Sequence, residues 1–192
     1  KRMEKTIVNL SKAFVGESQA RNRYTMYAKI AKKEGYEEIA ANFESTATQE
    51  AEHAKWLMRM INELKDGAPN FSTINLETEV PTIIGDTKEN LKAAIAGENH
   101  EHTSMYPEFA KVAEEEDISK VAVRLRSIAK AEENHEDRYK KFLNDLEQGL
   151  VFKKEISVVW QCRKCGYSET NEESPSLCPS CNHPRAYFEV KK

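Results

Sequence analysis

The chain has 192 residues, a formal net charge of −3, and 32% charged against 8% aromatic residues. This length allows one large and one small domain, and the charge-rich composition favours long surface helices over a sheet-rich fold. Basic residues alternate with acids, which argues against a nucleic-acid surface. No apolar run approaches a membrane span and no apolar signal region opens the chain, so we expect a cytoplasmic protein without membrane contact.

Apolar residues at helical spacing predict two long helices in the first third of the chain. The first extends from about Thr6 to Glu34, and Gly35 breaks it. The second follows at once and stops at Asp66-Gly67. So short a turn between them predicts antiparallel neighbours.

An irregular connection of about 20 residues follows, marked by Pro69, Pro81 and Gly85. Asp86, with Glu89 three positions on, has the pattern of an N-cap and opens a third helix. A fourth helix extends from about residue 118 to residue 149. Four helices of about 30 residues, each about 45 Å long, predict a four-helix bundle whose long connection crosses its full length.

The two helix pairs form an internal repeat. Glu50–His53 matches Glu132–His135 at an offset of 82 residues, which predicts two halves related by a pseudo-two-fold axis. Glu17 matches Glu98 at an offset of 81, although the offset is 82 again by Tyr106. One extra residue therefore lies inside the third helix, the pattern of a π-bulge, and such bulges favour functional sites.

Five glutamates lie on apolar helix stripes and are predicted to point into the core: Glu17, Glu50, Glu98, Glu101 and Glu132. Their distances from the helix turns place them near one level of the bundle at about 1.5 Å per residue. An unpaired ionised carboxylate in an apolar core costs several kcal/mol, and five together would repel one another. Cations must therefore compensate them.

The repeated motif Glu-x-x-His supplies two imidazoles. His53 and His135 lie on the same helix faces as Glu50 and Glu132. Oxygen-rich ligation with only two imidazoles suits two iron or manganese ions better than structural zinc. We predict that Glu50 and Glu132 bridge the two metals.

The known ligand set of di-metal helical bundles has one further glutamate from each remaining helix. Glu17 and Glu98 fill these two places, and Glu101 is an acid beyond that set. A buried salt-bridge network with Arg21 and Arg124 is the alternative for the whole constellation.

All four cysteines lie in two C-x2-C pairs after the last helix: Cys162 and Cys165, then Cys178 and Cys181. In a reducing compartment this arrangement binds metal far more often than it forms disulfides. Spacing alone does not separate iron from zinc, and a structural zinc ribbon is the more frequent use. We predict a helical domain over 1–149 and a linker with a tetra-cysteine module over 150–192.

Detail within the module favours iron. Gly166-Tyr167 follows the first pair and Pro179 lies inside the second, so the module resembles rubredoxin, in which four thiolates hold a single iron. The order of Glu and Glu-x-x-His motifs followed by this tail resembles the rubrerythrin family over essentially the whole chain. The stretches Gly16–Asn22 and Met105–Pro107 also resemble that family.

The resemblance implies a ferritin-like bundle with an oxo- and carboxylate-bridged di-iron site, in which the five glutamates act as ligands and catalytic groups. It implies a peroxidase of oxidative-stress defence that reduces hydrogen peroxide to water. Electrons would come from rubredoxin or an NAD(P)H-dependent reductase, and we expect a head-to-tail homodimer. The alternatives are a ferroxidase, or an iron-storage protein whose tail is a zinc ribbon.

Charge balance predicts a change of ligand with oxidation state. The five carboxylates leave the reduced di-iron site negative, and exchange of Glu101 for the neutral His53 makes it neutral, which a low-dielectric core prefers. We therefore expect Glu101 to bind one iron in the oxidised protein and His53 in the reduced protein.

Overall fold

The computed structural model describes residues 4–65 and 72–191 and contains a four-helix bundle. Its helices are α1 (Glu4–Glu34), α2 (Glu37–Leu64), α3 (Thr87–His100), α4 (Tyr106–Glu115) and α5 (Ser119–Glu147). A π-helical turn, Glu101–Met105, joins α3 to α4, so these segments form the long third helix, and the predicted bulge is confirmed. The predicted stop at Asp66-Gly67 lies outside the described residues. Among those described, no helix is long and apolar enough to cross a membrane.

The two helix turns of the repeat share one backbone conformation although their sequences differ. Gly35 and Asp117 both have positive φ, at 87° and 62°. Tyr36 and Ile118, which follow them, have nearly equal φ and ψ angles. Each donates its backbone N–H to a carbonyl in the preceding helix, at 2.9 and 2.8 Å. The aspartate thus makes the same turn as the glycine, at the cost of a Cβ in the left-handed region.

Side chains hold the crossover before α3 against the bundle. Asp86 accepts a hydrogen bond from the Glu89 backbone N–H at 2.8 Å, and the Glu89 side chain accepts one from Asp86, so the predicted N-cap is confirmed. Tyr27 donates its hydroxyl to the Ile83 carbonyl at 2.6 Å. The end of the crossover next to α3 is therefore tied to α1.

The bundle has two apolar clusters, one toward each end. The first contains Ile7, Leu10, Leu57, Ile61, Tyr106 and Leu125. The second contains Tyr24, Tyr27, Ile39, Phe43, Leu91 and Tyr139. In every long helix the buried glutamate lies between residues of the two clusters, as Glu17 does between Leu10 and Tyr24 in α1. The acids are therefore enclosed by apolar layers.

The C-terminal module is a three-stranded antiparallel sheet in the order β2-β1-β3. Its strands are β1 (Lys153–Cys162), β2 (Ser168–Glu173) and β3 (Phe188–Val190). Trp160 and Phe188 are buried in its small core beside two of the cysteines. The module contacts the bundle at the α1–α2 turn, where Tyr36 stacks on Phe152 with ring centroids 6.2 Å apart.

Replacing Asp117 by Gly is expected to stabilise the protein by about 0.5–1 kcal/mol, because glycine adopts positive φ without a Cβ penalty. Thermal melting of the iron-loaded protein measures the effect. Gly35→Ala at the equivalent turn is the matched control and should lower the melting temperature. An unchanged or lower melting temperature for Asp117→Gly would show that interactions of the aspartate side chain outweigh the strain.

Candidate metal centres

Each long helix of the bundle contributes one fully buried glutamate to a central cluster: Glu17, Glu50, Glu98 and Glu132. Their oxygens and two imidazole nitrogens form two overlapping groups, each with ligand atoms within 4.8 Å of one another. The first group is Glu17, Glu50, His53 and Glu132, and the second is Glu50, Glu98, Glu132 and His135. The glutamates predicted to bridge are the two that belong to both groups.

The two histidines occupy equivalent places on either side of the shared carboxylates. His53 Nδ1 lies 2.8 Å from Glu132 Oε1 and 3.1 Å from Glu50 Oε2. His135 Nδ1 lies 2.8 Å from Glu132 Oε2 and 3.2 Å from Glu50 Oε1. Each shared carboxylate therefore turns one oxygen toward each group, which is the arrangement of a bridging ligand.

Two tyrosines hold the terminal carboxylates from the opposite half of the repeat. Tyr24 in α1 donates its hydroxyl to Glu98 Oε1 at 2.5 Å, and Tyr106 in α4 donates to Glu17 Oε1. The other oxygen of each glutamate faces a histidine. Glu98 Oε2 lies 3.5 Å from His135 Nδ1, and Glu17 Oε2 lies 3.7 Å from His53 Nδ1. The hydrogen bonds fix the rotation of both carboxylates and leave one oxygen of each for a metal.

The residues present fit a pair of metal ions. Six buried atoms of this cluster approach one another but make no hydrogen bond of acceptable geometry: Glu17 Oε2, Glu50 Oε1, Glu98 Oε2, Glu132 Oε1, Glu132 Oε2 and His135 Nδ1. Buried polar atoms left unpaired are costly, so a set of six oxygens and nitrogens facing one another requires cations. The salt-bridge alternative is not supported, since Arg124 lies over the Trp56 ring at 3.9 Å and Arg21 is exposed.

The electrostatics show the same shortage of positive charge. Burial, with the charges of neighbouring carboxylates, raises the pKa of Glu17, and it raises that of Glu98 to about 8. Burial also acts to raise the pKa of Glu50, but the neighbouring imidazoles outweigh it and lower the value to about 2. Burial opposes protonation of His135, yet the surrounding carboxylates raise its pKa to about 11. Protons thus take the place that metal ions would fill.

Glu101 belongs to neither group. It is the first residue of the π turn, it is half-buried, and its Oε1 lies 3.9 Å from where a Cβ on Gly16 would stand. Burial, and then the charges of the neighbouring glutamates with Glu17 first, raise its pKa. His53 thus belongs to one of the two groups and Glu101 lies outside both. The ligand exchange itself stays a prediction.

The four cysteines form two equivalent knuckles, and all four Sγ atoms lie within 4.8 Å of one another. Each pair is followed by a residue at positive φ, Gly166 at 82° and Asn182 at 58°. The backbone N–H of each of these residues donates a hydrogen bond of 2.9 Å to the carbonyl of the first cysteine of its pair, Cys162 or Cys178. Tight turns of this kind direct both sulfurs of a pair toward one point, as a tetrahedral metal site needs.

Sequence reasoning missed a polar cluster that ties α5 to the π turn. Glu136 is buried, His102 Nε2 lies 2.5 Å from its Oε2, and Asn99 donates to its Oε1 at 3.2 Å. The available signal was the extra residue of the third helix, because a π turn rotates His102 toward α5.

Comparisons with known proteins agree with this geometry. Residues 8–143 match the family described as Rubrerythrin, and residues 160–189 match the family described as Rubrerythrin, rubredoxin-like domain. The chain is 56% identical to a Methanocaldococcus jannaschii protein over 98% of this chain and 94% of that one. It is 50% identical to the rubrerythrin of Porphyromonas gingivalis over 98% of this chain and 90% of that one.

A solved structure of nigerythrin in a fully reduced, all-ferrous state superposes with a TM-score of 0.63. The two chains are 31% identical, and the match covers 97% of this chain and 86% of nigerythrin. Together with the two ligand clusters, these matches confirm the predicted fold class and the predicted cofactors: a di-iron site in the bundle and one iron on the four cysteines.

The overlap of the two groups predicts unequal effects of removing single glutamates. Glu132→Ala should lose both bundle irons, because its oxygens face both groups, whereas Glu17→Ala should lose mainly one. Metal analysis after anaerobic reconstitution should find three irons per chain in the wild type, about one in Glu132→Ala and about two in Glu17→Ala. Exposed Glu133→Ala is the control and should keep all three. Equal losses from Glu17→Ala and Glu132→Ala would rule out bridging.

Proposed function

Because the chain belongs to the rubrerythrin family, we propose that it is a peroxidase that reduces hydrogen peroxide to water with electrons relayed through its tetra-cysteine centre. The observation that carries the proposal is the presence in one chain of a buried two-metal carboxylate cluster and a separate four-thiolate cluster. When bound, the paired irons supply both electrons for O–O cleavage in one place, and the cysteine-bound iron supplies electrons singly to replace them.

The helices of the bundle fix the spacing between the glutamate side chains of the site. Glu50 and Glu132 are carried by rigid helices and present their oxygens to both metal positions. Tyr24 and Tyr106 hold the carboxylates of Glu98 and Glu17 in place, so these two side chains need little reorganisation when the charge of the site changes. The apolar clusters cover this level of the bundle on both sides along the bundle axis.

Reduction of a peroxide molecule to two waters consumes two electrons and two protons. Glu101 is placed to carry a proton, because it borders solvent in a surface cleft and also lies beside Glu17. Its carboxyl oxygen Oε1 can accept a proton from water in the cleft and pass it inward. The buried tyrosine hydroxyls instead stay bound to their carboxylates.

The tetra-cysteine module offers an exposed edge to an electron donor such as rubredoxin or an NAD(P)H-dependent reductase. Cys165 is exposed, while Cys162 and Cys178 are buried. A hydrogen bond from the Tyr167 backbone lowers the pKa of Cys165 to about 7 and so favours its thiolate. The exposed sulfur is where an electron would pass from a docked partner.

The reduced, iron-loaded protein is expected to react faster with hydrogen peroxide than with dioxygen in stopped-flow mixing. The reverse order would favour the ferroxidase alternative, in which dioxygen is the oxidant and ferrous iron the substrate. The visible spectrum separates the remaining alternative, because oxidised iron tetrathiolate is strongly coloured and zinc tetrathiolate is not. Stoichiometric zinc on the cysteines of protein from its native cell would exclude the electron relay.

We further propose that the module of one chain serves the bundle site of a partner chain in a head-to-tail dimer. Within one chain the module contacts the bundle at Tyr36, and Glu50 lies 14 residues further along α2. At 1.5 Å per residue this is about 21 Å, a distance at which electron tunnelling is slow. The separation favours a donor from a second chain.

Mixed dimers test the cross-chain arrangement. A Glu132→Ala chain lacks the bundle metals and a Cys162→Ala chain lacks the relay, so each homodimer should be nearly inactive with a donor that acts through the relay. The isolated mixed dimer should recover about half of the wild-type activity, having one complete cross-chain pair. Metal analysis of the intact sites is the control, and a fully loaded but inactive mixed dimer would place the transfer within one chain.

A further inference from the structure

Two clefts approach the buried carboxylate cluster from opposite sides. One, of about 540 Å³, lies between α1 and the third helix and has Glu101 in its lining. The other, of about 310 Å³, lies between α2 and α5 and is lined by His53 and His135. A small oxidant needs one route to the metals, and the two clefts differ in how they are built.

The larger cleft carries two helical glycines on facing walls. Gly16 in α1 and Gly97 in α3 both line it, and each immediately precedes a terminal carboxylate, Glu17 or Glu98. They are equivalent positions of the internal repeat. A glycine inside a helix costs about 0.5–1 kcal/mol relative to alanine.

Packing does not require either glycine. A Cβ built on Gly97 would meet no atom within 4 Å, and one on Gly16 would meet only Glu101 Oε1 at 3.9 Å, an ordinary contact. Neither position has the positive φ that would demand glycine. What both glycines do is leave open space in the cleft above the two carboxylates.

Residues of the crossover cover the cleft on its outer side and form its roof. Glu77, Thr78, Glu79 and Pro81 of the crossover lie over it, and Gln19 donates its side-chain N–H to the Glu79 carbonyl at 3.4 Å. The smaller cleft is crossed instead by a polar contact between its walls, where Arg138 donates to Gln49 Oε1 at 3.0 Å. The roofed cleft is the larger of the two, and Glu101 lines it beside the two glycines that precede Glu17 and Glu98.

We propose that the cleft between α1 and the third helix is the entrance for small oxidants, and that Gly16 and Gly97 determine which molecules pass. Hydrogen peroxide and other compact hydroperoxides fit between two glycine walls, whereas a side chain at either glycine narrows the path. The identification of hydrogen peroxide as the molecule that normally enters this cleft rests on the proposed peroxidase function. The entrance itself can be tested with azide, a small anion that binds ferric iron without being reduced.

Stopped-flow mixing of oxidised, iron-loaded protein with azide measures the entrance directly, through the visible absorption of the di-iron site. The series Gly97→Ala, Gly97→Val and Gly97→Leu should slow azide association progressively, by about tenfold or more for leucine. A narrowed entrance slows association and dissociation together, so the Kd should stay nearly constant. Iron content should be unchanged, and Gly97→Ala should raise the melting temperature.

Ala131→Leu in the smaller cleft is the matched control and should leave the association rate unchanged. The inference is overturned if Gly97→Leu and Gly97→Val bind azide as fast as the wild type, or if Ala131→Leu slows association instead. It is also overturned if the Kd for azide rises as the association rate falls, because that would indicate a distorted metal site. Slowed azide association in a protein that does not reduce peroxide would uphold the entrance and reject the proposed function.

Discussion

Burial of four carboxylates at one level of the bundle is the constraint on which the rest of the structure depends. Glu17, Glu50, Glu98 and Glu132 are fully enclosed, and together they have too few protein donors to satisfy them. In an apolar core such a set is stable only when cations occupy the space between the oxygens. Metal binding and folding are therefore coupled, because the helices that supply the core also supply the ligands.

Because of the internal repeat, the two halves of the bundle supply equivalent sets of side chains to the site. Each half supplies one bridging glutamate, one histidine, one terminal glutamate and one tyrosine, and each tyrosine reaches across to the carboxylate of the other half. Loss of alignment between the halves would break both hydrogen bonds at once. The Gly35 and Asp117 turns keep that alignment, since equal backbone angles give both helix pairs the same geometry.

The sequence predicted the helices, the bulge and the two ligand groups because each depends on periodicity or on a repeated motif. The repeated motif brought Glu50 and Glu132 forward as the glutamates shared by both groups, their bridging role stays a prediction, and the extra residue before Tyr106 located the π turn. The sequence did not predict the partners of Glu136, which depend on a rotation inside that turn. It also could not show the clefts, since open space depends on how separate helices and the crossover pack together.

The π turn also makes the two metal positions unequal. At the offset of 81 that relates Glu17 to Glu98, Glu101 corresponds to Ala20 in α1, a residue buried among apolar side chains. Glu101 is thus a fifth acid without an acidic counterpart in the first half of the repeat, and the roofed cleft opens beside it. A symmetric pair of metals would have no preferred side for an incoming oxidant. One inserted residue thus gives the site a face where charge can change and a small molecule can approach.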